Sequence, residues 1–252
     1  METTIRLNKY LANLGISSRR DIKQLLKEKV VTVNGNRVRE AGFRVDPIRD
    51  DIKFEGKSIR PPQSVYFMIN KPKGFISTTA DEFGRKDVTS LIPFPGKVYP
   101  VGRLDKDTTG LLILTNDGTL TNLLTHPRYH VDKVYRLTIA GKIDKPQLTA
   151  LRKGVLLNDG ITAPARVTII KESHTISILE MTIHEGRNRQ IRRMCETVGV
   201  KLIELKRIYF GPISLGPLKE RSYRELTKKE VELLRAAATQ KAASGDKSPD
   251  HI

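Results

Sequence analysis

Residues 101–118, VGRLDKDTTGLLILTNDG, join an acidic loop to an apolar segment near the middle of the chain. Asp105 and Asp107 lie among small, polar and flexible residues, and the apolar run 111–114 follows directly. Such a run predicts a buried strand, and Asn116, Asp117 and Gly118 predict the turn that ends it. The stretch therefore predicts a carboxylate loop at the start of a central strand, and it leaves open what Asp105 does there.

Two short patterns offer functions for this loop. Asp105, Asp107 and Gly110 fit the first, third and sixth positions of a calcium loop, but the twelfth is Asn116 where a glutamate is required, and a strand is predicted where a helix should follow. The letters DKDTT also fit the nucleophile motif of haloacid-dehalogenase-like phosphatases. That motif should end an apolar strand directly, and a later strand should bring a second acidic pair, which the sequence does not offer.

The charge of the chain indicates a polyanionic partner. Among 252 residues, 45 are Lys or Arg and 28 are Asp or Glu, which gives a net charge of +17 and a pI near 10.0. An excess of this size is typical of proteins that bind nucleic acid. No apolar run approaches the roughly 18 residues that span a bilayer, and the N-terminus lacks a signal-peptide pattern. With a single cysteine, Cys195, and no zinc-like spacing, we expect a cytoplasmic protein without a metal or other cofactor.

The first 60 residues predict a small helical and hairpin module. Leu7, Leu11 and Leu14 recur at helical spacing before a terminating Gly15, and Ser18 is placed to cap a second helix. VVTVNGNRV then predicts two strands around an Asn-Gly turn. Together with the letters SSRR at 17–20 and VNG at 33–35, this order resembles the S4 RNA-binding module. The basic residues expected to contact RNA phosphates are Arg19, Arg20, Lys23 and Lys27.

Beyond a proline-rich linker at 60–64, the sequence alternates short strands with turns and a few helices. Segments such as VYFMIN, KVYRLTIA and ISILEMTI predict strands, and NRQIRRMCETVG predicts a helix capped by Asn188. We therefore expect an α+β protein with a mixed or antiparallel sheet. Its parts are a module over 1–60, a larger domain over 64–235 and a disordered tail over 236–252.

A catalytic motif and five further segments in order resemble the pseudouridine synthases of the small and large ribosomal subunits that carry an S4 module. The segment 101–118 matches their catalytic motif, and NKPKG at 70–74 precedes it. HPRYHVDKVYRL at 126–137, HEGRNRQIRRMC at 184–195, and the closing segments at 205–216 and 223–230 follow in the family order. The resemblance covers nearly the whole chain outside the predicted tail.

The resemblance implies that the protein isomerises uridine to pseudouridine. In this reaction the N1–C1′ bond breaks, the base turns and C5 joins C1′, and no cofactor is needed. Asp105 would be the catalytic nucleophile, with attack at C1′ or a glycal route both left open. Arg103 would hold the target base out of its helix, Tyr135 would stack on it, and Arg192 would pair with the carboxylate. Arg187 and Arg189 are expected to contact phosphates.

The expected substrate is ribosomal RNA, with 23S favoured and 16S as the alternative. The RNA is expected to be bound either free or in a pre-ribosomal particle, by a monomeric enzyme. A protein of a different class, a non-catalytic ribosome-assembly factor on the same fold, is the alternative. The trio Asp105, Tyr135 and Arg192 favours the enzyme, since a protein that only binds RNA does not need all three.

Overall fold

The computed structural model describes residues 4–18, 20–60, 63–78 and 86–244, and the side chains among them up to residue 239. The chain forms two compact units, residues 1–64 and 65–252. Two predicted features fall partly outside the described residues: the linker, at 61–62, and the tail, at 245–252. Within the described ranges, no helix is both long and apolar enough to cross a membrane.

The N-terminal unit packs two short helices on small antiparallel strands. Their buried side chains, among them Leu7, Leu11, Ile22 and Leu26, form one core cluster. The elements are β1 (Ile5–Arg6), α1 (Leu7–Asn13), α2 (Ile22–Glu28), β2 (Val31–Val33), β3 (Asn36–Arg37), β4 (Arg44–Val45), β5 (Ile52–Phe54) and β6 (Lys57–Ser58).

Local sequence signals account for most of this unit. Gly15 ends α1 with φ of 72°, and the amides of Gly15 and Ile16 donate to carbonyls of the last helical turn, as expected for a glycine cap. Asn34 and Gly35 both have positive φ in the turn that joins β2 to β3, so the predicted hairpin is confirmed. Regular α2 begins after Asp21, and Ser18 caps the turn that leads into it: its hydroxyl accepts from the Asp21 amide at 3.3 Å and its carbonyl accepts from the Ile22 amide at 3.2 Å, as predicted for a cap.

The second unit is built on one nine-stranded mixed sheet. Its strands are β7 (Tyr66–Lys71), β8 (Tyr99–Pro100), β9 (Thr109–Thr115), β10 (Lys133–Ala140), β13 (Arg166–Lys171), β14 (Ile176–Ile183), β15 (Leu202–Phe210), β16 (Ile213–Ser214) and β17 (Tyr223–Glu225); β11 (Leu156–Leu157) and β12 (Gly160–Ile161) form a separate hairpin. The order is β13-β14-β10-β15-β9-β7-β17, with β16 beside β15 and β8 beside β9. Among the described residues, the β15–β9 pair is the one parallel pair of this sheet, which confirms the predicted α+β class.

Helices cover both faces of the central strands. They are α3 (Gly118–Thr125), α4 (Lys145–Lys153), α5 (Gln190–Thr197) and α6 (Lys228–Ser244), with short 3-10 turns at Val88–Leu91 and Pro127–Tyr129. Alternate residues of β9 enter different cores: Leu112 packs in the cluster that contains α5, and Leu111 in the cluster that contains α3 and α6. A strand buried on both faces explains the continuous apolar run of the sequence.

Two expectations are corrected here. Helix α6 continues to Ser244, so the predicted disorder over 236–244 is wrong; Leu234 and Ala238 are fully buried, and the alanine-rich sequence favours a helix. The cap of α5 is Arg189 in a left-handed conformation rather than Asn188. The start of this helix is instead held by the Gln190 side chain, which accepts a hydrogen bond from the Arg187 amide at 3.1 Å.

Candidate active site

The loop that carries Asp105 is held by hydrogen bonds to the segment that follows β7. The Ser77 hydroxyl donates to the Leu104 carbonyl at 3.0 Å and accepts from its amide at 3.1 Å. The Gly74 amide donates to the Lys106 carbonyl at 2.9 Å. Both flanks of Asp105 are thus tied to a segment about 30 residues earlier, so the backbone that carries the carboxylate is anchored on either side.

Lys71, which sequence reasoning gave no role, is the centre of this support. Its side chain is fully buried, and Nζ donates to the carbonyls of Thr108 at 2.8 Å, Pro72 at 3.1 Å and Lys106 at 3.2 Å. Burial lowers the pKa of Lys71 to about 8, against the opposing pull of the Asp105 and Asp107 carboxylates. The NKPKG motif was the available signal, but only the fold shows what its first lysine contacts.

Arg192, on α5, lies beside Asp105. Its Nε is 4.0 Å from Asp105 Oδ2, and its Nη2 donates to the Asp107 carbonyl at 3.0 Å. The two side chains are 14% and 29% exposed, so their attraction is only partly screened by water. Nε of Arg192 is enclosed and has no hydrogen-bond partner among the described residues. The arginine thus anchors the loop and directs positive charge at the carboxylate.

A cavity of about 350 Å³ opens next to this pair. Asp105, Tyr135 and Arg103 all contribute to its lining. Tyr135 is only 8% exposed, whereas Arg103 is exposed. The structure therefore brings together the four residues expected at the reacting centre: three line the cavity, and the fourth, Arg192, contacts Asp105. A volume of this size is enough for a single nucleotide base with its sugar.

The two arginines expected on RNA phosphates differ in their surroundings. Arg189 lines the cavity and is exposed. Arg187 also lines the cavity, but its guanidinium donates to the carbonyls of Asp159, Gly160 and Ile161 at 2.6–3.1 Å and to the Glu185 carboxylate at 3.3 Å. This arginine holds the β11–β12 hairpin, so its donors are already used within the protein.

Arg193, which follows Arg192 on α5, also helps to hold the β11–β12 hairpin. Arg193 grips Asp159 with two parallel hydrogen bonds of 2.9 and 3.0 Å. These bonds hold the pKa of the Asp159 carboxyl below its ordinary value. The hairpin is thereby fastened to the helix that supplies Arg192.

In the N-terminal unit, the basic residues expected to bind RNA lie at the surface. Lys23 and Lys27 are exposed one turn apart on α2, and Arg20 is exposed in the turn before the helix. Ile22 and Leu26 face the core. Arg19 lies outside the described residues.

The two other hypotheses for the Asp105 loop find no support in the fold. The loop leads into the strand β9 at Thr109, whereas a calcium loop would lead into a helix. In the described part of the chain, no group of three His, Cys, Asp or Glu side chains is arranged to hold a metal ion.

The N-terminal unit exposes basic residues, and the second unit has a cavity beside which an aspartate, an arginine and a buried tyrosine lie together. These are the features of an RNA-modifying enzyme. Residues 65–197 match the family described as RNA pseudouridylate synthase, and residues 5–51 match the S4 domain. The chain belongs to the RNA pseudouridylate synthase family, as its resemblance predicted.

Individual relatives are similar in sequence to this chain over almost its full length. The chain is 45% identical over 237 residues to the ribosomal large subunit pseudouridine synthase B of Bacillus subtilis, covering 92% of this chain and 96% of that protein. It is 41% identical over 229 residues to an uncharacterized RNA pseudouridine synthase of Aquifex aeolicus, covering 90% and 92%. A crystal structure described as a pseudouridylate synthase matches with a TM-score of 0.66 at 31% identity, covering 91% of this chain and 99% of that one.

Proposed function

We propose that this protein isomerises a uridine of the large-subunit (23S) ribosomal RNA to pseudouridine, with Asp105 as the reacting carboxylate. The observation that carries the proposal is the contact between Asp105 and Arg192 beside a cavity lined by Tyr135. The names of relatives such as the Bacillus subtilis enzyme support the choice of the large subunit. The small-subunit 16S RNA is the alternative substrate.

Each side chain has a role that follows from its position. The Asp105 carboxylate attacks C1′ of the target nucleotide or removes the proton from C2′, and the N1–C1′ bond breaks in either route. Arg192 keeps the carboxylate oriented toward the cavity. The base turns while stacked on the Tyr135 ring, C5 bonds to C1′, and the hydrogen of C5 is released. Arg103, being exposed at the cavity, takes the place of the extruded base in the RNA helix.

RNA binding is assigned to the exposed cations of both units. Arg20, Lys23 and Lys27 of the N-terminal unit and Arg189 beside the cavity are positioned to meet phosphates. The proposal includes a monomeric enzyme that works in the cytoplasm, on free RNA or a pre-ribosomal particle, without a metal or cofactor. Size-exclusion chromatography with light scattering tests the monomer.

The experiment that tests the substrate is chemical mapping of pseudouridine after incubation with unmodified 23S and 16S RNA, each free and in precursor particles, with and without EDTA. We expect one new pseudouridine, or a few adjacent ones, in 23S RNA, formed equally well in EDTA. Modification confined to 16S RNA would reassign the substrate. Tight binding without modification of any of these RNAs would contradict the enzymatic proposal and favour an assembly factor.

A further inference from the structure

Arg207, in the middle of β15, is a buried cation whose hydrogen bonds are incomplete. Its side chain is 2% exposed, and Nε donates to the Leu111 carbonyl at 2.7 Å. Nη2 is enclosed and has no partner among the described residues, and no ion pair of Arg207 occurs among them. A buried charge without a counterion is strongly unfavourable and is retained only where something compensates for it.

The position of this side chain indicates what that compensation is. Arg207 lines the cavity that contains Asp105. It is the register partner of Tyr135 on the neighbouring strand, and its guanidinium lies 4.8 Å from the centre of the Phe210 ring, which also lines the cavity. The cation is therefore located at the wall where the target base would lie.

The backbone around Arg207 leaves it little freedom to move. Residue 207 pairs with Gly110 at the parallel junction of β15 and β9. A Cβ at position 110 would lie 2.2 Å from the Arg207 carbonyl oxygen, so only glycine permits this close approach. The strand that carries Arg207 is therefore held closely against the strand that follows Asp105.

We propose that Arg207 is a catalytic residue that stabilises the departing uracil. When the C1′–N1 bond breaks, its electron pair goes to the base, and the negative charge spreads from N1 to the carbonyl oxygens O2 and O4. The Arg207 guanidinium donates to one of these oxygens as the charge develops. Bonding of C5 to C1′ uses this electron pair, so the base becomes neutral, and where Asp105 had attacked C1′ its carboxylate leaves with the electrons of the ester bond. The C5 proton is then lost to water and N1 takes up a proton. The inference rests on the proposed isomerisation, whichever ribosomal RNA is the substrate.

The physical basis is a charge that is fixed before the reaction. A buried donor aimed at an oxygen that becomes negative in the transition state lowers the barrier without reorganisation of the protein or the solvent. Removal of one such donor slows turnover by about a hundredfold or more in enzymes where it has been measured. Binding of the RNA depends mainly on phosphate contacts, so it should change little.

The test uses Arg207→Met and Arg207→Lys in the full-length protein, with Arg152→Met as the matched control. Arg152 also donates through its guanidinium to a backbone carbonyl, that of Val167, but it does not line the cavity. Single-turnover conversion is measured on two RNAs that carry uridine or 5-fluorouridine at the target position. Loss of the N-glycoside is followed by nuclease digestion and chromatography. Thermal unfolding and RNA affinity are recorded for each variant.

Fluorine at C5 withdraws electrons and makes uracil a better leaving group, so the reaction then depends less on a cation beside the base. We expect Arg207→Met to slow conversion of uridine RNA about a hundredfold and to slow conversion of 5-fluorouridine RNA by a clearly smaller factor. Arg207→Lys should show the same trend with a smaller loss, and Arg152→Met should convert both RNAs like the wild type.

Equal losses on both RNAs in a folded Arg207 variant would overturn the proposal, because a purely structural role does not distinguish leaving groups. Turnover of Arg207→Met within about threefold of wild type, far from the expected hundredfold, would overturn it as well. If Arg207→Met does not fold, the ratio measured with Arg207→Lys decides. Failure of wild type on uridine RNA would instead count against the proposed function.

Discussion

Replacement of Lys71 by methionine should loosen the Asp105 loop while leaving the fold of the unit in place. Methionine matches the length of lysine without its charge, so the carbonyls of Pro72, Lys106 and Thr108 lose the Nζ donor. The Lys106 carbonyl keeps a second bond, from the Gly74 amide. The loop would then be held by the bonds of Ser77 to Leu104, of the Gly74 amide to Lys106 and of Arg192 to the Asp107 carbonyl.

The magnitude follows from two opposing contributions. Hydrogen bonds from a charged group contribute roughly 1.5–3 kcal/mol each. Against this, a pKa lowered from 10.5 to about 8 means that burial disfavours the charged amine by roughly 3 kcal/mol. The three bonds together, less this penalty, leave a loss of about 1.5–6 kcal/mol in the free energy of unfolding, or about 3–24 °C in Tm for a unit of this size. A carboxylate displaced by about 1 Å should lower kcat about tenfold to a hundredfold.

The assay compares Lys71→Met with Lys73→Met, a matched change two residues away in the same motif, where the side chain is exposed. Thermal unfolding and single-turnover conversion are measured for both variants. The enzyme is saturating, so that weaker RNA binding caused by the loss of a positive charge is not mistaken for slower catalysis. Equal Tm and equal conversion in the two variants would refute the idea that the buried lysine organises the loop.

Two further predictions concern charge. The hydrogen bonds from Arg224 lower the pKa of Glu230 to about 2 from 4.5, so the stabilisation from its ionised form is complete above about pH 4.5 and is lost as the pH falls toward 2. Glu230→Gln should therefore lower the free energy of unfolding at pH 7 by about 1–2 kcal/mol after solvent screening is allowed for, and the difference from wild type should narrow in acid. The control Glu232→Gln, on the same helix, should leave the free energy of unfolding unchanged. A difference between Glu230→Gln and wild type that does not depend on pH would contradict the assignment. In the N-terminal unit, the double change of Lys23 and Lys27 to Gln should reduce the slope of log affinity against log salt by about 0.7–0.9 for each lost phosphate contact, and a slope equal to that of wild type would remove α2 from the RNA-binding surface.

Local features of the fold were predictable because they depend on a few adjacent residues. The Asn34-Gly35 turn and the Gly15 helix end require positive φ, which few residues other than glycine and asparagine adopt readily. The extent of α6 was not predictable in this way. Its alanines show no apolar periodicity, and the burial of Ala238 depends on packing in a core cluster that also contains residues of α3.

The residues of the site were predictable where they belong to family motifs in the sequence. Asp105 and Arg192 are 87 positions apart, and no spacing rule predicts that they lie together. The resemblance to a family predicted it. The contacts of Lys71 and Arg207 were not predictable, because they depend on burial and on carbonyls distant in sequence. The same reason explains why Arg187 was expected on RNA, whereas its guanidinium holds the β11–β12 hairpin.

The central claim is that the Asp105 carboxylate performs the reaction. The most direct measurement is single-turnover release of tritium from ribosomal RNA labelled at uridine C5, because the new C5–C1′ bond expels that hydrogen. Asp105→Asn is compared with Asp107→Asn, which changes an exposed side chain in the same loop. We expect Asp105→Asn to bind RNA like wild type and release no tritium, and Asp107→Asn to release it. Release by Asp105→Asn within about tenfold of wild type, equivalent to only about 1.4 kcal/mol of barrier, would mean that another residue carries the chemistry.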